Sequence, residues 1–241
     1  MNTNILKVRQ ISLFEILVAT AFLSLSTYGI YLMLEPAVGY TQNSSGEQFE
    51  VDLVVDSEIT FDTPPAGVTL TPSLNGITGG VANGGTQIVV VTNNATGYQM
   101  TLLSSSTDME GNTTPDVIPG MTASSSNSEP AYDLNSASVG ANNAAFGFTV
   151  EASTTFDLDP SFIDDGSNSC GTGGLLSATD ACWMRPSTTD AGVVVLNRAT
   201  STPSSGSTTT LKFRAVINPN PAPSIGEDTY VSTSTVTVTN N

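Results

Sequence analysis

The apolar residues of this chain change period once, and the change divides it in two. Ile11 to Leu34 form a nearly unbroken apolar run, interrupted by Glu15 and small hydroxyl residues. From Phe49 onward apolar residues recur at every second position, and no stretch sustains the 3.6-residue spacing of an amphipathic helix. Phe49, Val51, Leu53 and Val55 fall on one face of an extended segment, and Glu50, Asp52 and Asp56 on the other. The same alternation recurs in Tyr98-Met100-Leu102, Phe146-Phe148-Val150, Leu211-Phe213-Ala215-Ile217 and Tyr230-Val236-Val238. Ile88 to Val91 and Val193 to Leu196 are continuous aliphatic runs suited to interior strands. Turn signals separate them at Thr63-Pro64-Pro65, Gly79-Gly80, Asn83-Gly84-Gly85, Asn93-Asn94 and Ser204-Ser205-Gly206. The pattern predicts an all-β fold: an antiparallel β-sandwich, immunoglobulin-like or similar, of about eight to ten strands.

The run before it predicts a transmembrane or signal helix. At about 1.5 Å per residue, residues 11–34 reach roughly 36 Å, enough for the hydrocarbon core of a bilayer. Residues 1–10 read as a basic cytoplasmic leader carrying Lys7 and Arg9, 35–48 as a linker, and 49–241 as an extracellular β-sandwich. Residues 111–143, rich in Ser, Asn, Thr and Gly, read as a surface insertion in that domain.

Two processing routes stand beside a permanent anchor. Pro36-Ala37-Val38-Gly39 places small residues where a signal peptidase reads, so cleavage can follow Gly39. Ile11-Ser12-Leu13-Phe14-Glu15 resembles the start of a type IV pilin, a family in which a basic leader is cut before an apolar helix whose fifth residue is Glu. Here that cut follows Gln10, and the resemblance implies helices packed in a filament core. Glu15 is otherwise a carboxylate one turn inside the membrane, near the interface.

Composition narrows the chemistry. The chain has no His, two Cys, and a net charge of −16. Imidazole bases, Ser-His-Asp or Cys-His nucleophiles and His-containing zinc sites are therefore excluded. Between Tyr40 and Met184 there is no Lys or Arg, so nucleic acid, whose affinity rests on neutralised phosphates, is not an expected partner.

Cys170 and Cys182 predict a disulfide, natural in an oxidising exterior, and its loop closure contributes on the order of 3 kcal/mol. Asp157, Asp159, Asp164 and Asp165, with Asn168 and Asp180 nearby, supply oxygen at the density a calcium ion takes. A solvated acidic loop accounts for the same residues, since the order departs from an EF-hand. Trp183 is expected to pack over the disulfide. Alternation turns Leu211 and Phe213 inward and Lys212 and Arg214 outward, against an isopeptide bond that needs a buried lysine. No other cofactor is implied.

Several further segments carry a resemblance: Leu70-Thr71-Pro72-Ser73-Leu74, Gly76-Ile77-Thr78-Gly79-Gly80, Thr92 to Tyr98, Phe146 to Glu151, Leu211 to Arg214, and Thr229-Tyr230. They resemble a group of uncharacterised surface β-sandwich proteins of small-genome, candidate-phylum bacteria. That resemblance implies display outside the membrane and carries no catalytic residues. The expectation is a non-enzymatic structural or adhesive protein of the cell surface, anchored through residues 11–34. Its exposed strand edges, Phe49 to Val55 first, are suited to pairing with neighbouring copies. The alternative is a pilin-like filament subunit.

Overall fold

A computed structural model describes residues 12–34, 50–122, 131–154, 157–164, 170–171, 182–189 and 191–241. Gln10, Gly39, Phe49, Asp165, Asn168 and Asp180, singled out above, lie outside the described residues. The chain divides into two compact units, Met1–Leu53 and Val54–Asn241.

In the first unit the apolar run forms α1, Leu13–Leu34, with Glu15 in its first turn. Ser12 and Glu15 close a reciprocal cap there. The Glu15 N–H donates to Ser12 Oγ at 3.2 Å and the Ser12 N–H to Glu15 Oε2 at 3.1 Å. Its apolar side chains stand in the open all round: Leu13 and Phe14 at the start, Phe22, Leu23 and Leu25 in the middle. Among the described residues no helix is long and apolar enough to cross a membrane.

The second unit is β-sandwich-like. Its strands are β1 (Ile59–Thr63), β2 (Gly80–Thr92), β3 (Tyr98–Ser104), β4 (Met109–Gly111), β5 (Val117–Ile118), β6 (Ala131–Tyr132), β7 (Ala144–Ala152), β8 (Cys182–Trp183), β9 (Val193–Arg198), β10 (Ser207–Ile217), β11 (Tyr230–Val231) and β12 (Ser234–Asn240). Every named pairing between them is antiparallel. One sheet runs β1-β2-β10-β7, another β12-β3-β9, a third β11-β4-β5, and β6 pairs β8. The main core lies where the first two sheets face each other. Ile88, Val90, Phe148, Val150 and Leu211 from one meet Tyr98, Met100, Leu102, Val195 and Leu196 from the other. Register across β10 and β7 sets Phe213 beside Phe148 and Leu211 beside Val150, as the two-residue period requires.

Two departures from the sequence reading have clear causes. Asn83-Gly84-Gly85 is not a turn but part of the first half of β2. A Cβ on Gly84 would stand 2.6 Å from Val68 Cγ1, so glycine is there to admit the chain that crosses the strand. Val51, Leu53 and Val55 alternate as a strand does, yet residues 50–58 form none and these side chains are 73–85% exposed. Alternation specifies a strand only where a partner edge is present.

The described residues of the stretch 111–143 include regular structure. The stretch supplies β5, β6 and the short helix α2, Ser136–Val139, which Asn135 caps by accepting from Ala137 N and Ser138 N. Ile118, Met121 and Leu134 from it are buried. Met121 and Leu134 pack with Ala145, Trp183 and Val216 on the second face of the large sheet.

One buried polar group stands out. Tyr98 Oη lies in the core near the Ser207 and Thr209 hydroxyls, and none of the three closes a hydrogen bond of good geometry among the described residues. Burial pushes the Tyr98 phenol above its ordinary value, with Ser207 acting in the opposite sense. Tyr98→Phe is therefore expected to leave neutral-pH stability within about 1 kcal/mol of the parent or to raise it. Because the folded phenol titrates above the unfolded one, the parent's stability falls as pH rises past about 10, and the variant is spared that loss. Urea melts of both proteins at pH 7 and 10.5 provide the check.

Candidate functional site

β1 pairs with β2 only from Val89 to Thr92. Beside the earlier half of β2 runs an irregular segment, held at one point by Thr71 and Asn83, which bond backbone to backbone in both directions. Across from it, the chain through Ile225 to Val231 leads into β12, an outer strand of its sheet. Between these two walls opens a cleft of about 1020 Å³. Phe146, Leu211, Phe213, Ala215 and Ile217 line it from the large sheet, and Leu102, Met109 and Ile118 from the other two. The Phe146 and Phe213 rings stack with centroids 6.2 Å apart and planes 9° from parallel.

One wall is fixed by two carboxylates. Asp228 Oδ2 accepts from Thr113 N and Thr114 N, both at 2.8 Å, and from Thr114 Oγ1 at 2.9 Å, while Oδ1 accepts from Thr229 N at 2.7 Å. Asp116 Oδ2 accepts from Gly226 N at 3.0 Å. The Thr113 amide, joined by Thr114 and Thr229, holds the Asp228 carboxyl well below the usual carboxylate range. Tyr230, whose hydroxyl donates to Gly226 O at 2.9 Å, is raised by burial first and then by Asp116.

Since the folded Asp228 carboxyl is depressed, its contribution is present above the unfolded value near 4 and is lost as pH falls toward the folded one. Asp228→Asn cannot accept at both oxygens and is expected to melt lower than the parent at pH 7. The gap should close between pH 4 and 2, which thermal melts across that range will show; a constant gap would contradict the assignment.

The three predicted aspartates among the described residues are separately engaged. Asp157 pairs with Arg198 at 2.6 Å, and Asp159 caps the 3-10 turn Pro160–Phe162 by accepting from Ser161 N at 3.0 Å. Asp164 is fully buried and bridges its backbone to Cys170. Among the described residues no group of three or more Cys, Asp or Glu is placed to hold a metal ion. The Cys170–Cys182 disulfide is formed, with Cα atoms 5.8 Å apart.

Trp183 is 1% exposed, and the Arg214 guanidinium carbon lies 4.3 Å from its ring centroid. Arg214 also donates to Asn83 Oδ1 at 2.6 Å and to Leu134 O at 3.0 Å. Lys212 pairs with Glu151 at 2.7 Å on the same outward face. Two features escaped the sequence reading. The Ser12-x-x-Glu15 cap carries a recognisable spacing. The cleft carries none, because its lining comes from segments as distant as Leu70, Phe146 and Tyr230.

No family model matches the chain, and no match to a curated protein or a solved structure reaches significance.

Proposed function

We propose that this is a non-enzymatic structural or adhesive protein of the cell surface, displayed by its N-terminal helix. The observation that carries this reading is α1, whose large apolar side chains are exposed on every side. Full burial of one Leu, Ile or Phe stabilises by about 1.5–3 kcal/mol, so the set represents on the order of 10 kcal/mol. That is as large as the whole stability of a typical domain, and a helix apolar all round seeks lipid or other helices. The disulfide and the acidic, hydroxyl-rich composition suit an oxidising exterior. The exposed Val51 to Val55 segment offers copies a strand to exchange.

The second reading is a pilin-like subunit with residues 11–34 in a filament core, favoured by Glu15 in the first helical turn. Mass spectrometry of the mature N-terminus on cells separates the two. A start at Met1 supports the anchored protein, a start at Ile11 the filament subunit, and a start at Tyr40 removes the helix and overturns both. Electron microscopy after gene deletion adds the morphology: an altered coat for the first, lost filaments for the second.

A further inference from the structure

The cleft of the β-unit is apolar at its floor and one-signed in its charge. Glu227 and Asp228 are the charged residues in its lining, and no Lys or Arg contributes. Three of the basic side chains of this unit are committed elsewhere, Arg198 to Asp157, Lys212 to Glu151 and Arg214 to Asp133. Asp228 is saturated by four hydrogen bonds, whereas Glu227 is exposed at the mouth. Ser232, also in the lining, keeps an Oγ with no hydrogen-bond partner among the described residues. A buried hydroxyl in that state can donate to or accept from a ligand's polar group.

We propose that this cleft binds a cationic amphiphile, an apolar or aromatic body seated on Phe213, Ala215 and Ile217 with a protonated amine held at Glu227. The volume is that of a small-ligand site, about 300–1,000 Å³ in general. Charge complementarity selects the occupant. A fatty acid or other anionic amphiphile meets Glu227 and Asp228 with like charge. The Val51–Val55 segment of a second copy meets the same repulsion, because Glu50, Asp52 and Asp56 alternate with its apolar residues. The inference does not depend on whether the N-terminal helix lies in lipid or in a filament.

The test uses the full chain held in lipid nanodiscs, with empty nanodiscs as control, followed by methyl NMR. The probes are 4-phenylbutylamine, 4-phenylbutyrate and neutral 4-phenylbutanol, which share one body and differ in the head. The amine is expected to shift the Ile118, Ile217 and Ile225 methyls saturably, and the carboxylate to bind at least about tenfold more weakly. Glu227→Gln, an exposed and conservative change, should weaken the amine about three- to tenfold and leave the alcohol unchanged. Raising the salt should weaken the amine alone. Equal binding of amine and carboxylate, shifts confined to residues outside the cleft, or no binding overturns the proposal. So do contacts between cleft methyls and Leu53 or Val54 without ligand, which would assign the cleft to a neighbouring copy's segment.

Discussion

Replacing Phe148 by Ala is expected to lower the unfolding free energy of the β-unit by about 3–5 kcal/mol. Phe148 is 0% exposed and sits on β7 between two rings, with centroids 5.6 Å from Phe162 and 6.4 Å from Phe213. Phe162 comes from the 3-10 turn capped by Asp159, and Phe213 from β10, beside Phe148 in register. Phe213 also packs against the cluster that lines the cleft. The cavity left by Ala therefore opens where the sandwich core meets the cleft. Urea melts of parent and variant measure the difference through the midpoint at unchanged slope. A loss below about 1.5 kcal/mol would mean that the site repacks and that the core is less ordered than the register implies.

The elements that sequence alone reveals are those in which one face is buried by a single opposing sheet. β3 and the first half of β10 alternate between buried and half-buried positions, and their pattern survives in the residues; β7 is buried on both faces from Ala145 to Val150 and keeps the period in Phe146, Phe148 and Val150. Legibility fails where a third layer intervenes. Val216 and Ala145 point away from the main core yet are buried, because Met121, Leu134 and Trp183 cover them. Nothing in the Ser- and Asn-rich composition around Met121 and Leu134 announces that role; two apolar residues among polar ones suffice once a cap and Arg214 fix the chain. Gly97 shows the same limit on a smaller scale. Its φ of +78° and the 2.0 Å between a would-be Cβ and Arg198 O demand glycine, but only the fold supplies the reason. The acidic loop was legible as a cluster and not as a set of separate engagements, since the partner of Asp157 is Arg198, remote in sequence. The cleft was hidden for the same cause.

A charge in the apolar helix should have a comparably large effect on the first unit. Leu23→Arg places a guanidinium near the middle of α1, where Leu23 is 71% exposed. In a bilayer the cost is about 2.5–3.5 kcal/mol by insertion scales, before the lost contribution of Leu is counted. That converts to a reduction in insertion on the order of 100-fold or more, and a helix-packed filament core is no more tolerant of an unpaired charge. Cell fractionation is expected to show the variant leaving the membrane or filament fraction. Glu15→Gln divides the two readings of the helix. Its side chain still reaches the Ser12 N–H, so the cap weakens by about 1 kcal/mol at most, and removing the charge eases residence in lipid. An anchored protein should therefore keep or improve its membrane fraction. A filament subunit that depends on the Glu15 carboxylate should lose assembly while its β-unit stays folded. If Leu23→Arg stays in the parent's fraction, the proposed role of the helix as anchor or filament core is overturned.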